Sequence, residues 1–464
     1  MSLTASSQEN PPAPGQPASA GRRIVLRLPP GWPFIAIFLF FPLWWALGLG
    51  TLIFSVMAVP MALHLSRRRP LRLPPGFALW ALFLAWLIAG WFMLGVNPVG
   101  TVNGTVPGRS MAYSLRLANY LALTVMLLYL GNLSERELPR RRIVALMAWM
   151  FGVTVVGGLL GIIAPRGEFT SPLEMVLPSF IAANPYVQSI VHPAFSQVQD
   201  VLGYAAPRPK APFEYTNYWG NNLSMSGLWF VCLVALGGLT GRRSLRWVLL
   251  AVGLGAAVVP AIWSLNRGMW IGVGLSVAYL SVRLALQRRF GLLVAALALL
   301  AATLALIPLT PLGGVITGRL DNPRSNEIRS SLSSQTLAVV NQSPILGYGS
   351  TRTSQGSPES LAVGRSAQCP QCGNFIIGSN GQLWQLLVST GYPGTALYFL
   401  FFGYGIWRYR HDSTAIGIAG SLSLYLACFY ALFYNAVPSP LAFYLVGFGM
   451  LWRNEKLLRT TEIA

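Results

Sequence analysis

The sequence predicts an all-α integral membrane protein that crosses the bilayer about twelve times. Three observations carry this. The 464-residue chain is 54% hydrophobic and only 10% charged, with a mean hydropathy of +0.54, whereas a soluble chain carries about a quarter charged residues. Apolar runs of roughly 20 residues, long enough to cross about 30 Å of hydrocarbon, recur along it. The basic residues fall in short clusters between those runs, as expected of loops held on the inner side of a membrane. That placement accounts for a formal net charge of +20 with no nucleic-acid partner.

The first 30 residues, beginning MSLTASSQENPPAPGQPASAGRR, are polar and rich in Pro, Ser and Ala. They lack a signal peptide's charged start and read as a disordered cytoplasmic tail. Spans are expected at about 31–47, 48–66, 76–95, 111–132, 143–164, 219–240, 247–265, 268–285, 291–310, 388–407, 413–433 and 439–452. They form one membrane domain over 31–453, with outer loops at about 164–218 and 309–387 and a cytoplasmic tail over 454–464. With the N-terminus inside, 22 of the 33 Lys and Arg residues lie on the inner side, although the outer side holds the two longest loops. Both termini are then cytoplasmic. Loops this long in a compact protein are usually functional.

The spans are nearly free of Asp, Glu and Lys. Transporters keep charged groups at mid-span, so an exporter or transporter of an anionic substrate is disfavoured. Arg116, in SLRLANY, is the clearest intramembrane exception and is expected to face an outer cavity. Cys232 and Cys428 lie in apolar runs and read as packing residues. Cys369 and Cys372 form CPQCG in the second loop. A zinc ribbon needs two such pairs. A single pair in an extracytoplasmic loop favours a local disulfide over a metal or redox role.

Three outer segments hold the candidate chemistry. SLNRGMWIGVG places Arg267, with Asn266, at the mouth of a very short hairpin between two apolar runs. A cation there costs on the order of several kcal/mol unless paired or hydrated. It either snorkels to the interface or holds a phosphate, which a guanidinium grips bidentately. RPKAPFEYTNYWGNNL packs Tyr215, Asn217, Tyr218, Trp219, Asn221 and Asn222 just before a span. This is either a sugar platform or an interfacial aromatic belt with turn-forming residues. The second loop carries RSSLSSQTLAVVNQSPILGYG, an amphipathic helix leading to a turn at Gly347, Tyr348 and Gly349, with Arg352 just after. IIGSNGQLWQLLVSTGYPG follows, with Asn380, Gln382 and Trp384.

The order of these motifs resembles the O-antigen ligase family of bacterial membrane glycosyltransferases, which also holds Wzy-type polymerases and protein O-oligosaccharyltransferases. The likeness rests on an aromatic-Asn segment, S-x-x-R-G at a hairpin, and an arginine fifteen residues before P-I-L-G-Y-G. G-S-N-G-Q-L-W and a later G-x-x-G complete it. It covers roughly residues 205–395, and APFEYTNYWGNNL with GSNGQLW is most similar to the actinobacterial branch. The resemblance implies a GT-C-like fold in the plasma membrane and cofactor-free, metal-independent transfer on the extracytoplasmic face. The donor would be a glycan on polyprenyl pyrophosphate, and the acceptor a hydroxyl of a lipid, wall polymer or protein.

Carried over by motif, Arg267 and Arg329 neutralise the leaving pyrophosphate. Tyr215, Asn217, Trp219, Asn221, Asn222, Asn266, Gly347, Tyr348, Gly349, Arg352, Asn380, Gln382, Trp384 and Arg116 contribute to substrate binding. Most ligases of the family place a histidine where this chain has Asn380. Asparagine cannot act as a base, though it can orient a hydroxyl or phosphate. Of the three histidines, only His192 is expected outside, as a loop residue. Glu214 is the preferred substitute base, and an ion pair with Arg208 or Lys210 is its simpler reading. The alternative activity is a polymerase that extends glycan repeats on the carrier. A receptor or scaffold is the non-enzymatic reading.

Overall fold

The computed structural model describes residues 29–182, 184–200, 205–238, 242–306, 311–320, 324–355 and 375–463. Cys369, Cys372 and nearly all of the expected N-terminal tail lie outside these residues. Within them the chain is predominantly helical. The first expected span breaks into α1 (Trp32–Leu39) and α2 (Phe41–Ala46), each with proline in its first turn, where its fixed φ suits helix initiation. α3 (Ile53–Ser66), α4 (Phe77–Ala89), α5 (Val106–Asn132) and α6 (Arg140–Ile163) follow.

The first loop holds α7 (Pro172–Val176), α8 (Ser179–Ala182) and α9 (Pro185–Val191). It then forms an antiparallel hairpin, β1 (Ser196–Asp200) on β2 (Ala205–Pro209), with Ser196 opposite Pro209. This ribbon was not part of the all-α expectation. Next come α10 (Thr216–Ala235), α11 (Arg243–Trp263), α12 (Arg267–Leu286) and α13 (Phe290–Leu306). The second loop contributes α14 (Pro311–Leu320), α15 (Arg324–Val340) and the two-residue strands β3 (Arg352–Thr353) and β4 (Ile376–Ile377). α16 (Gln382–Tyr409), α17 (Ala415–Tyr430) and α18 (Ser439–Ile463) complete the chain.

Five of these helices are long and apolar enough to cross a membrane: Val106–Asn132, Arg140–Ile163, Ser244–Trp263, Arg267–Leu286 and Gln382–Tyr409. Shorter apolar helices lie at Ile53–Ser66, Phe77–Met93 and Ala415–Tyr430. The twelve expected spans do not map onto these one for one. One apolar run is cut at Phe40, and the polar TNYWGNN start belongs to α10 itself. Residues 454–463, in the expected tail, are helical as the continuation of α18. Two charges there have partners: Glu455 pairs with Arg408, and Lys456 donates to the Gly131 carbonyl at 2.9 Å.

α10 packs chiefly on α6, α17 on α18, α3 on α5, and α16 on α4. Aromatic rings line the bundle; Phe151 of α6 stacks on Phe230 of α10 at 4.8 Å between centroids, and Phe401 of α16 on Phe448 of α18 at 4.5 Å. α16 kinks at Gly391, which adopts φ +63°. There it meets the second-loop turn: a Cβ on Gly347, itself at φ +64°, would lie 2.6 Å from the Gly391 nitrogen. The two glycine motifs therefore need each other, because only bare backbone fits between them.

Candidate functional site

α11 ends at Trp263 and α12 begins at Arg267, so the hairpin is as short as the sequence implies. Leu265 turns it with φ +54°. Asn266 is 3% exposed, and its Oδ1 accepts from the phenol of Tyr434. Its Nδ2 reaches the Thr216 carbonyl at 3.5 Å. Gly268 follows Arg267 because the Tyr434 hydroxyl occupies the place of a Cβ.

Arg329 rises from α15 to the same place. Its Nη1 donates to the Phe433 carbonyl at 3.1 Å and to the Asn380 carbonyl at 3.5 Å. Burial pushes the Arg329 pKa down, the Tyr434 phenol pulls it up, and the Arg267 charge pushes it down. The hairpin that carries Arg267 is tied to the same turn, between α17 and α18, through Asn266 and Tyr434. Asn380 braces Arg329: its Nδ2 donates to Ser333 Oγ at 2.9 Å and to the Arg329 carbonyl at 3.4 Å. Guanidinium groups in a partly buried site suit an anionic ligand.

Glu214 Oε1 accepts from Thr51 Oγ1, while its Oε2 is buried without a hydrogen-bond partner among the described residues. Burial raises the Glu214 pKa, and the Thr51 hydrogen bond and the Lys210 charge pull it back. The expected ion pair with Arg208 is not formed: Arg208 donates from Nε to the Ser264 carbonyl at 2.6 Å and from Nη1 to Gln199. Lys210 acts on Glu214 only through its charge, and burial depresses its own pKa. Burial also raises the Tyr186 phenol, which Arg116 lowers and Glu214 raises. Arg116 Nη1 is likewise buried without a hydrogen-bond partner among the described residues. Tyr218, near Glu214 in sequence, donates its phenol to the Val437 carbonyl at 2.8 Å.

Several residues expected to bind substrate are buried and bonded to other parts of the chain. Trp219 is fully buried and donates to the Thr154 carbonyl of α6 at 2.9 Å, leaving no face for a sugar. Asn221 donates to Tyr444 at 2.5 Å and Asn222 to Ser439 at 2.9 Å, both fully buried between α10 and α18. These amides join helices, as polar residues do in apolar bundles. Tyr215 donates to Ser189 at 2.7 Å and packs on Tyr218. Asn217 is only partly buried beside them.

The second loop yields similar corrections. Arg352 is 2% exposed, and its guanidinium is spent on carbonyls, including Ser350 at 2.9 Å, Val96 at 3.0 Å and Tyr348 at 3.1 Å. It fastens the loop to the α4–α5 connection and has no fork left for phosphate. Gly347, Tyr348 and Gly349 form the turn against α16; Tyr348 N donates to Val388 O at 2.7 Å and Gly349 N to Ser389 O at 2.9 Å. Gln382 is fully buried, bridging Tyr120 at 2.8 Å and the Ala436 amide at 2.9 Å. Trp384 donates to the Leu432 carbonyl at 3.1 Å. Both fix the 432–437 turn from below.

The residues missed from sequence are Phe433, Tyr434 and Asn435. Their signal was the break YNAVPSP between two apolar runs, where prolines and an asparagine interrupt the hydropathy. His192 sits in the first loop as expected, with Nδ1 2.8 Å from Glu174 Oε2. A cleft lined by Trp32, Pro60, His64, Arg67 and Tyr129 contains none of the site residues. Among the described residues, no group of three or more His, Cys, Asp or Glu is placed to hold a metal ion. Comparison with known protein families and with curated proteins finds no match to this chain.

Proposed function

We propose that the chain is a membrane glycosyltransferase of the O-antigen ligase type. It would move a glycan from a polyprenyl-pyrophosphate carrier to an acceptor hydroxyl on the extracytoplasmic face of a bacterial plasma membrane. The observation that carries the reading is one turn that holds Arg329 through the Phe433 carbonyl and, through Tyr434, the Asn266 that precedes Arg267. Two fixed guanidiniums suit a leaving group that gains negative charge as its bond breaks.

In this reaction the acceptor oxygen bonds to the anomeric carbon. The bond from that carbon to the pyrophosphate oxygen breaks, and its electron pair leaves with the phosphate. Arg267 and Arg329 stabilise the charge that develops there. Glu214 takes the hydroxyl proton; burial favours its protonated form, and one of its oxygens is unpartnered among the described residues. The inward bias of basic residues supports cytoplasmic termini and an outer active site.

The test is the length of carrier-linked glycan in cells lacking the protein. Long chains stranded on the carrier are the expected result, because polymerisation would proceed while transfer stops. Single repeat units would instead assign the same clamp to a polymerase. No change in any carrier-linked glycan would overturn both.

A further inference from the structure

Two amide oxygens beside Arg329 are left without donors. Asn380 Oδ1 and Asn435 Oδ1 are both buried with no hydrogen-bond partner among the described residues. Their orientation follows from the other half of each amide. Asn380 Nδ2 donates to Ser333 Oγ at 2.9 Å, and Asn435 Nδ2 donates to the Ser379 carbonyl at 3.3 Å. The oxygens are therefore the atoms left over. They belong to one place: Ser379 precedes Asn380, Tyr434 precedes Asn435, and Arg329 bonds to the carbonyls of both Asn380 and Phe433. Buried acceptors are normally satisfied, and each that is not calls for a donor.

Three kinds of donor fit an amide oxygen: an ammonium, a hydroxyl or water. An ammonium would have to sit beside Arg329, a cation that already feels the Arg267 charge, and like charges disfavour it. A neutral hydroxyl has no such penalty. Two acceptors on segments that meet at Arg329 match two hydroxyls of one polyol, and the guanidinium can donate to a ring or hydroxyl oxygen.

We infer that Asn380 and Asn435 form a subsite that receives hydroxyl groups of a neutral sugar or polyol beside Arg329. Its assignment to the acceptor rests on the glycosyltransferase reading above; the binding chemistry does not. The subsite uses Asn380 to orient a hydroxyl, and Asn435, from a different connection, to fix a second one.

The experiment uses the full-length protein in lipid nanodiscs and reads thermal stabilisation. The probes are inorganic pyrophosphate, methyl glucoside, galactoside and mannoside, myo-inositol, and per-O-methylated methyl glucoside, which has no hydroxyl to donate. At least one hydroxylated probe should stabilise the wild-type chain, and the per-methylated one should not. Asn380→Ala and Asn435→Ala should each weaken the hydroxylated probe by about tenfold in apparent affinity, and in Asn435→Ala the pyrophosphate response should stay. Asn435→Asp keeps the oxygen and should keep polyol binding, which guards against an alanine variant that fails to fold. No stabilisation by any polyol, or an equal response in all variants, would mean that water alone fills the subsite and would overturn the inference. Loss of the pyrophosphate response in the wild type, with polyol binding intact, would instead strike the phosphate clamp and spare the subsite.

Discussion

Arg329 donates from Nη1 to the carbonyl of Phe433 at 3.1 Å, and the next residue, Tyr434, donates its phenol to Asn266. One turn between α17 and α18 thereby holds an arginine from the second long loop and the residue beside an arginine at a hairpin. Neither segment forms this arrangement alone. Arg267 opens α12, and Arg329 lies on a helix with polar residues along much of its length.

Replacing Arg267 or Arg329 by Ala should lower turnover by about 10²–10³-fold, the usual effect of losing one electrostatic stabiliser. Circular dichroism and gel filtration should be unchanged, since neither side chain is part of the apolar core. Normal turnover in either purified variant would remove it from the clamp.

Tyr434→Phe removes one hydrogen bond from Asn266, and Asn266→Ala removes the same bond from the other side. The two changes should be non-additive in ln kcat, with a coupling of about 0.5–3 kcal/mol. Additive losses would mean that Tyr434 acts elsewhere. Gly268→Ala should behave like these variants, because the new methyl meets the Tyr434 hydroxyl. That loss should be smaller when Tyr434 is already Phe.

Trp219→Ala should destabilise the fold by about 3–5 kcal/mol, as expected for emptying a buried aromatic site. The KM of the surviving enzyme should be unchanged. A raised KM with normal melting would restore the sugar-platform reading of NYWGNN.

The Glu214 carboxyl has a pKa raised by burial above its ordinary value of 4.5. A carboxyl whose folded pKa is raised contributes stability that is fully present below the unfolded value and is lost as pH rises through the folded one. The wild type should therefore lose stability relative to Glu214→Gln as pH climbs from 4.5 through the raised pKa, read by melting in parallel buffers. A constant difference across that window would place Glu214 in water.

Much of the frame was legible in the sequence. The helical class followed from hydropathy, and the hairpin at Arg267 followed from an Asn-Arg-Gly break between apolar runs. Arg329 was singled out through the family resemblance by its spacing to Pro344; it is held by the Phe433 and Asn380 carbonyls, while the turn at Gly347 packs on Gly391. What composition could not separate was a polar residue facing substrate from one facing another helix. Trp219, Asn221, Asn222, Gln382 and Arg352 all look like binding residues one at a time, yet each is fastened to a partner far away in sequence. Only the packing of α10 on α6 and α18, of α16 on the 432–437 turn and of the second loop on the α4–α5 connection reveals that. Tyr434 and Asn435 were overlooked for the converse reason: they sit in a short break between two of the most apolar stretches, where attention falls on the spans.

Treatment with EDTA should leave transfer activity unchanged, because the proposed charge stabilisation comes from guanidinium groups. A reversible loss, restored by a divalent cation, would require a metal in the reaction.

The most direct measurement is single-turnover transfer by the purified protein, from a glycan on polyprenyl pyrophosphate to a hydroxylated acceptor. The wild-type chain should release polyprenyl pyrophosphate in step with glycan transfer, and Arg329→Ala and Arg267→Ala should slow both together by about 10²–10³-fold. Equal rates for wild type and both variants, or no transfer by the wild type to any hydroxyl acceptor or growing chain, would contradict the account.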